Sequence, residues 1–146
     1  MSEIVIDNSV VIAWCFPDEK HSYAMKVLRA LASRAAIVPA LWTFEAANVF
    51  LVGERKKRST ATDTNAWTQF LAALPITVDN QNIERLFSNI LNVARIHNLS
   101  AYDASYLELA MRKTIPLATL DDKLKTAARA AGVELYDPSA SVSVSI

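Results

Sequence analysis

The chain has 146 residues, of which 52% are hydrophobic and 21% are charged. This length and composition predict one globular domain with a proper core and exclude a disordered chain. No apolar run approaches the roughly 20 residues needed to span a bilayer, and no signal-peptide pattern is recognisable. Because Cys15 is the only cysteine, no internal disulfide can form, and we expect a cytoplasmic protein that does not enter a membrane.

Basic and acidic residues are balanced at 15 each. A protein that binds nucleic acid with its whole surface is usually more basic, so only a local basic surface is compatible with that function. Residues 55–58 form a compact basic run, and Lys123, Lys125 and Arg129 fall within one predicted helix. For each of these groups a solvated surface face is the simpler interpretation.

The first predicted strand, residues 3–6, is rich in β-branched residues, which suits a strand buried on both faces. Asp7 ends it, and Asn8 and Ser9 then favour the start of a helix that continues through the apolar residues 10–16. The carboxyl end of a central parallel strand opens into the crevice where ligands bind. Asp7 is therefore either a site residue or simply the cap of the next helix.

Strand and helix patterns alternate along the remaining chain. Further strands are predicted over residues 36–39, 75–78, 115–119 and 133–136. Helices are predicted over residues 19–35, 41–54, 60–73, 79–97, 100–111 and 121–131, with Thr43 and Asp79 as N-caps. This alternation predicts an α/β domain with a mainly parallel sheet of four to five strands over residues 1–138, and a C-terminal tail over residues 139–146.

Several common active sites are excluded. The two glycines, Gly53 and Gly132, cannot supply a phosphate-binding or dinucleotide-binding loop. There is no Gly-x-Ser-x-Gly nucleophile elbow, and Cys15 with the distant His21 and His97 does not make a structural zinc site.

Acidic residues remain at the junctions between strands and helices. Asp7 follows the first strand, Asp121 the fourth, and Glu45 and Asp103 are placed in the first turns of two helices. Each has a structural explanation, since acids cap helices and interact favourably with their N-terminal ends. If the first and fourth strands are neighbours, however, the four carboxylates converge and repel one another, which favours hard divalent cations such as Mg²⁺ or Mn²⁺.

Four short motifs in this order make the chain resemble PIN-domain ribonucleases, and most closely the VapC toxins of toxin–antitoxin pairs. They are residues 4–14 (IVIDNSVVIAW), 43–48 (TFEAAN), 101–110 (AYDASYLELA) and 117–121 (LATLD). The similarity extends from Ile4 to Pro138. It implies a three-layer fold in which helices flank the sheet on both faces.

The resemblance also implies a site and a reaction. Asp7, Glu45, Asp103 and Asp121 would form the catalytic quartet, with the first, third and fourth of these acids binding one or two Mg²⁺ or Mn²⁺ ions. A metal-activated water would then hydrolyse RNA phosphodiesters endonucleolytically. The family positions that match Ser9 and Thr119, and less firmly Asn8, support the site, and Asp122 is an alternative to Asp121.

The implied partners are a VapB-type antitoxin, an RNA substrate and a second copy of the chain in a homodimer. Residues 55–58 would be one candidate contact to RNA. Two other interpretations remain open on the residues alone. One is a non-catalytic PIN-fold module that acts only within a complex. The other is a phosphohydrolase or receiver-like domain, although the Asp7-Asn8-Ser9 sequence lacks the second acid that either would normally have.

Overall fold

A computed structural model describes residues 2–80 and 82–139. The strands are β1 (Glu3–Ile6), β2 (Ala35–Pro39), β3 (Ile76–Asp79) and β4 (Leu117–Ala118). The helices are α1 (Asn8–Cys15), α2 (Ser22–Ala30), α3 (Leu41–Arg55), α4 (Ala61–Ala73), α5 (Ile83–Arg85), α6 (Leu91–His97), α7 (Ala101–Lys113) and α8 (Asp122–Ala130). A 3₁₀ turn covers Pro17–Glu19, and a π-helical turn, Leu86–Ile90, joins α5 to α6.

The four strands form one parallel sheet in the order β3-β2-β1-β4. The last three residues of the central strand β1 are fully buried, and the register places Ile6 beside Ala118 of β4. The predicted α/β architecture with a parallel sheet between helices is therefore confirmed. The chain runs from β1 outwards through β2 to β3 and then crosses back to add β4 on the other side of β1. This reversal of strand order places the topological switch point of the sheet between β1 and β4.

The core lies between this sheet and the helices. Its largest fully buried side chains include Ile4 of β1, Phe16 directly after α1, Tyr106 and Leu107 of α7, and Leu124 of α8. Within the described ranges, no helix is long and apolar enough to cross a membrane. Cys15 is buried, as its apolar context predicts, and burial raises the pKa of its thiol to about 12.

The helix predicted over residues 19–35 is wrong at both ends. Pro17 starts a separate 3₁₀ turn, and α2 begins only at Ser22, where the ring nitrogen Nδ1 of His21 accepts a bond from the N–H of Tyr23. At the other end the helix stops at Ala30, because the following residues turn to bring Ala35 into β2. The amphipathic pattern of residues 19–35 therefore extends beyond both ends of α2.

Two predicted N-caps are also wrong. Helix α3 starts two residues before Thr43, whose hydroxyl donates to the carbonyl of Ala40 at 2.9 Å, so Glu45 lies in the second turn. Asp79 is the last residue of β3 and does not open a helix, because its carboxylate accepts a 2.5 Å bond from Arg112 of α7. Asn82 caps the next helix instead.

The end of the chain has less strand than predicted. β4 contains only two residues, and the strand predicted over 133–136 contributes one parallel bridge, between Leu117 and Leu135. Gly132 has a positive φ of 75° after α8, as expected for a helix end. Ser139 is described, whereas the remaining tail residues, 140–146, lie outside the described ranges.

Candidate active site

The candidate site lies at the carboxyl ends of β1 and β4, at the topological switch point of the sheet. Asp7 follows β1 directly, and Thr119 follows β4. The backbone N–H of Asp7 donates to the carbonyl of Ala118 at 3.2 Å, so the two strand ends are in register up to this point. In open parallel sheets this crevice is the usual ligand position.

Both carboxylate oxygens of Asp7 are held by hydroxyl groups. Ser9 donates to Asp7 Oδ1 at 2.5 Å, and Thr119 donates to Asp7 Oδ2 at 2.6 Å. No side-chain hydrogen bond from Asp7 caps α1, although Asp7 occupies the N-cap position. The backbone N–H of Val10 in α1 does lower the pKa of Asp7, so capping contributes electrostatically, but the hydrogen bonds that fix this carboxylate come from both sides of the crevice.

The same hydroxyl groups connect Asp7 to Asp121. The N–H of Leu120 donates to Ser9 Oγ at 2.9 Å, and the N–H of Asp121 donates to Thr119 Oγ1 at 3.0 Å. Asp121 caps α8, since its Oδ1 accepts from the N–H of Lys123 at 3.1 Å. The cap uses one of the two oxygens of this carboxylate.

Glu45 reaches the site from α3, and a tyrosine fixes its orientation. The hydroxyl of Tyr106 donates to Glu45 Oε1 at 2.5 Å, and the tyrosine itself is 1% exposed. Tyr106 lies three residues after Asp103 on α7, so both occupy one face of that helix. Sequence reasoning missed Tyr106, because an aromatic residue in an apolar helical run reads as core.

The pKa shifts show that the acids influence one another. Burial is the main cause that raises the pKa of Asp7 to about 6, and the negative charge of Asp121 raises it further. Burial likewise raises the pKa of Asp103, with the charge of Asp121 acting in the same direction. The pKa of Glu45 is raised by burial and by Asp103, and is lowered by the Tyr106 bond. The structure thus places all four predicted acids in one electrostatically coupled group.

The family was determined by comparison with known proteins. The PIN domain family model matches residues 4–130. This chain belongs to the PIN-domain family. PIN domains are generally nucleases, and PIN nucleases typically use divalent metal ions. The comparison with curated protein sequences gives no match.

Solved structures with the same fold include PAE2754 from Pyrobaculum aerophilum, with 24% identity, coverage of 86% of both chains and a TM-score of 0.67. VapC20 of Mycobacterium tuberculosis, a sarcin–ricin loop cleaving toxin, has 15% identity and a TM-score of 0.58 over 85% of this chain and 94% of its own. FitAcB from Neisseria gonorrhoeae has 17% identity and a TM-score of 0.52 over 92% and 97%. At these identities the likeness establishes the fold.

The donor set of this PIN domain is chemically suited to a hard divalent cation. All four acids supply carboxylate oxygens, and within residues 2–80 and 82–139 none of them forms an ion pair with a basic side chain. In the same ranges no three His, Cys, Asp or Glu side chains form a ready metal-binding group. The oxygen donors thus suit a hard cation by their chemistry, whereas their arrangement among the described residues is not a formed metal site.

The sequence also named Asn8, Asp122 and the basic run 55–58 as possible site or RNA-binding residues, and the structure places each differently. Asn8 is the first residue of α1, and its Oδ1 is buried without a hydrogen-bond partner in the described part of the chain. Asp122 is fully solvent-exposed and lies 3.8 Å from Lys125, so Asp121 fits the site better. In the basic run, Arg58 is paired with Asp18 and Glu19, at 3.0 and 3.2 Å.

Removing the tyrosine hydroxyl should change the titration of Glu45. In Tyr106→Phe the pKa of Glu45 should rise further, because the variant loses the hydrogen bond that stabilises the charged carboxylate. The measurement is an NMR titration of the glutamate side-chain carboxyl carbons. Tyr102→Phe is the control, since Tyr102 lies on the same helix but is exposed. Equal titration curves in both variants would contradict the orienting role of Tyr106.

Proposed function

We propose that this PIN domain is a metal-dependent endoribonuclease of the VapC type, acting as the toxin of a VapBC-type toxin–antitoxin pair. The proposal is carried by one observation, the coupled group formed by Asp7, Glu45, Asp103 and Asp121 at the crevice of a PIN domain. Such a group is costly to the fold, because burial and mutual repulsion both disfavour the charged forms. Acids that only cap helices need not be buried close to one another, so they would not destabilise the fold in this way.

The residues divide the chemistry between them. Asp7, Asp103 and Asp121 would hold Mg²⁺ or Mn²⁺, and the bound ion would supply an activated water and neutralise the charge that develops on phosphorus. Ser9 and Thr119 keep the Asp7 carboxylate in place through the bonds to its two oxygens. Tyr106 occupies Glu45 Oε1, which leaves Oε2 to accept the proton of the attacking water.

The raised pKa of Glu45 suits this proton transfer. A general base is most effective when its pKa approaches the working pH, and burial together with Asp103 moves the pKa of Glu45 in that direction. Attack on the phosphodiester by water in line with the leaving oxygen would cut the RNA within the strand. The N-terminal ends of α7 and α8, which carry Asp103 and Asp121, also place positive helix dipoles beside the developing negative charge.

An antitoxin partner is supported by the solved neighbours and by the surface beside Glu45. The FitAB structure bound to a DNA fragment, 17% identical to this chain, is one of those neighbours. Phe44, directly before Glu45, is 81% exposed. An apolar groove of about 310 Å³ lies between α3, α4 and β3, and its lining includes Trp42 and Ala46. A partner that covers this apolar surface and places a basic side chain over the acids would both bind and inhibit.

The homodimer is proposed on a second exposed apolar surface. Ile83 and Phe87 lie four residues apart on the helical segment after β3, and they are 71% and 66% exposed. Exposed aliphatic and aromatic side chains at this spacing form a stripe typical of helix–helix contacts. A second copy of the chain would bury it.

Purified protein tests the activity directly. We expect cleavage of a mixed-sequence single-stranded RNA with Mg²⁺ or Mn²⁺, no cleavage with EDTA, and no cleavage of DNA of the same sequence. Induced expression should arrest growth, and co-expression of the product of a neighbouring gene should relieve the arrest. If no RNA is cut with either metal and expression has no effect on growth, the chain is a non-catalytic interaction module and the proposal is wrong.

A further inference from the structure

Lys123 has a position that the roles assigned above do not explain. It is the second residue of α8, its side chain is exposed, and its backbone N–H donates to Asp121 Oδ1 at 3.1 Å. Asp121 is itself bonded to Thr119, which donates to Asp7. Successive hydrogen bonds therefore fix the backbone of Lys123 relative to the most buried acid of the site, whereas its side chain is left to solvent.

The ammonium of Lys123 is uncommitted, in contrast to several other basic groups. Lys125 pairs with Asp122 at 3.8 Å, and Arg112 is bonded to Asp79 at 2.5 Å. Across residues 2–80 and 82–139, Lys123 forms no ion pair. Its charge nevertheless lies close to the acids, because Lys123 is in the first turn of α8, two residues after Asp121 and bonded to it through the backbone. A cation that influences the site without being neutralised by any one acid is available to an incoming anion.

We propose that Lys123 binds a backbone phosphate of the RNA at the candidate active site, so that the strand passes over the N-terminal end of α8. The inference rests on the proposed ribonuclease function. An RNA strand that approaches four carboxylates meets like charge, and an unpaired ammonium beside Asp121 offsets that repulsion. Lysine is suited to this task because it binds phosphate as a mobile point charge without fixed geometry.

A competing role for Lys123 is to relieve repulsion among the carboxylates themselves. The two roles have different consequences when the charge is removed. A residue that only relieves repulsion changes metal binding and leaves RNA affinity at fixed metal occupancy unchanged. A phosphate contact changes RNA affinity and lowers its dependence on salt, because each contact to a single strand contributes about 0.7 to the slope of log K against log salt.

The test measures binding of a fluorescein-labelled single-stranded RNA of mixed sequence by anisotropy. The parent is Glu45→Gln with saturating Mg²⁺, which removes the proposed proton acceptor but retains the three proposed metal ligands. Adding Lys123→Gln should weaken binding about fivefold at about 0.1 M salt and reduce the salt slope by about 0.7. Lys123→Arg should restore most of the affinity and the slope.

The matched control is Lys113→Gln, which removes one exposed positive charge from the end of α7 opposite to Asp103, about 15 Å away along the helix. It should leave the slope unchanged. If Lys123→Gln behaves like Lys113→Gln, or alters only the Mg²⁺ midpoint in a melting titration, the phosphate contact is refuted while the ribonuclease proposal stands. If the parent protein binds no RNA at all, both proposals fail.

Discussion

Asp7→Asn should abolish RNA cleavage, with a rate at least about a hundredfold lower, because the variant removes one charge from the proposed metal site. Charge stabilisation by a bound ion contributes several kcal/mol to the transition state, and about 2.7 kcal/mol corresponds to a factor of a hundred. The measurement is the single-turnover cleavage rate with saturating RNA in Mg²⁺. Asp122→Asn is the matched control, because it removes a neighbouring but solvent-exposed carboxylate.

The same substitution should leave the fold intact and stabilise the metal-free protein. Burial raises the pKa of Asp7 from 3.8 to about 6. The folded state therefore binds this proton more tightly than the unfolded state does. The contribution of this bound proton to the free energy of unfolding is complete below pH 3.8 and is lost as the pH rises through about 6. At pH 7 the ionised carboxylate costs about 3 kcal/mol, which asparagine does not incur.

Unfolding experiments in EDTA separate this effect from a loss of structure. The free-energy difference between Asp7→Asn and the natural chain should be small near pH 4 and should grow in favour of the variant up to about pH 7. The gain will be less than the full 3 kcal/mol, because asparagine has one accepting oxygen where Asp7 has two, so one of the bonds from Ser9 and Thr119 is lost. A variant that is inactive and also strongly destabilised at pH 7 would contradict the assignment, since misfolding would then explain the lost cleavage.

The position of Asp7 was predictable because it depends on local rules. A buried β-branched strand followed by an acid, with a second acid after another strand, places both carboxylates at one edge of a parallel sheet. The observed pairing of Ile6 with Ala118 brings them together. The hydroxyl groups of Ser9 and Thr119 were named only through the family resemblance, because nothing in their local sequence indicates that they face a carboxylate 2 or 112 residues away.

The contacts that sequence reasoning missed all depend on tertiary packing. Tyr106 and Glu45 are 61 residues apart and meet only in the folded chain, where their hydrogen bond joins α7 to α3. Asp79 reads as a helix cap because its local sequence favours one, yet the guanidinium of Arg112 binds it at the end of β3. Arg112 also bonds to the buried Glu108 on its own helix at 3.0 Å. The ion pair between Asp79 and Arg112 is favoured over a helix cap, because a buried charge without a partner is costly.

Divalent metal should stabilise the protein in a manner that depends on pH, which is the second large effect expected of the site. A ligand that binds only the folded state, present at about 100 times its Kd, adds about 2.7 kcal/mol. For a domain of this size that corresponds to a rise in Tm of roughly 8 °C. The measurement is thermal unfolding at pH 7.5 with EDTA and with increasing Mg²⁺ or Mn²⁺.

Protons and metal should compete for the same carboxylates. Because the pKa of Asp7 is about 6, the metal must displace a proton at lower pH, and the apparent affinity should fall about tenfold for each pH unit below 6. Asp7→Asn and Asp121→Asn should lose most of the Tm rise, whereas Asp122→Asn should retain it. This comparison decides between the two neighbouring acids at the start of α8. A Tm rise that is as large at pH 5 as at pH 7.5, or that survives in Asp7→Asn, would place the ion elsewhere, because a cation binds the ionised form of the buried carboxylate.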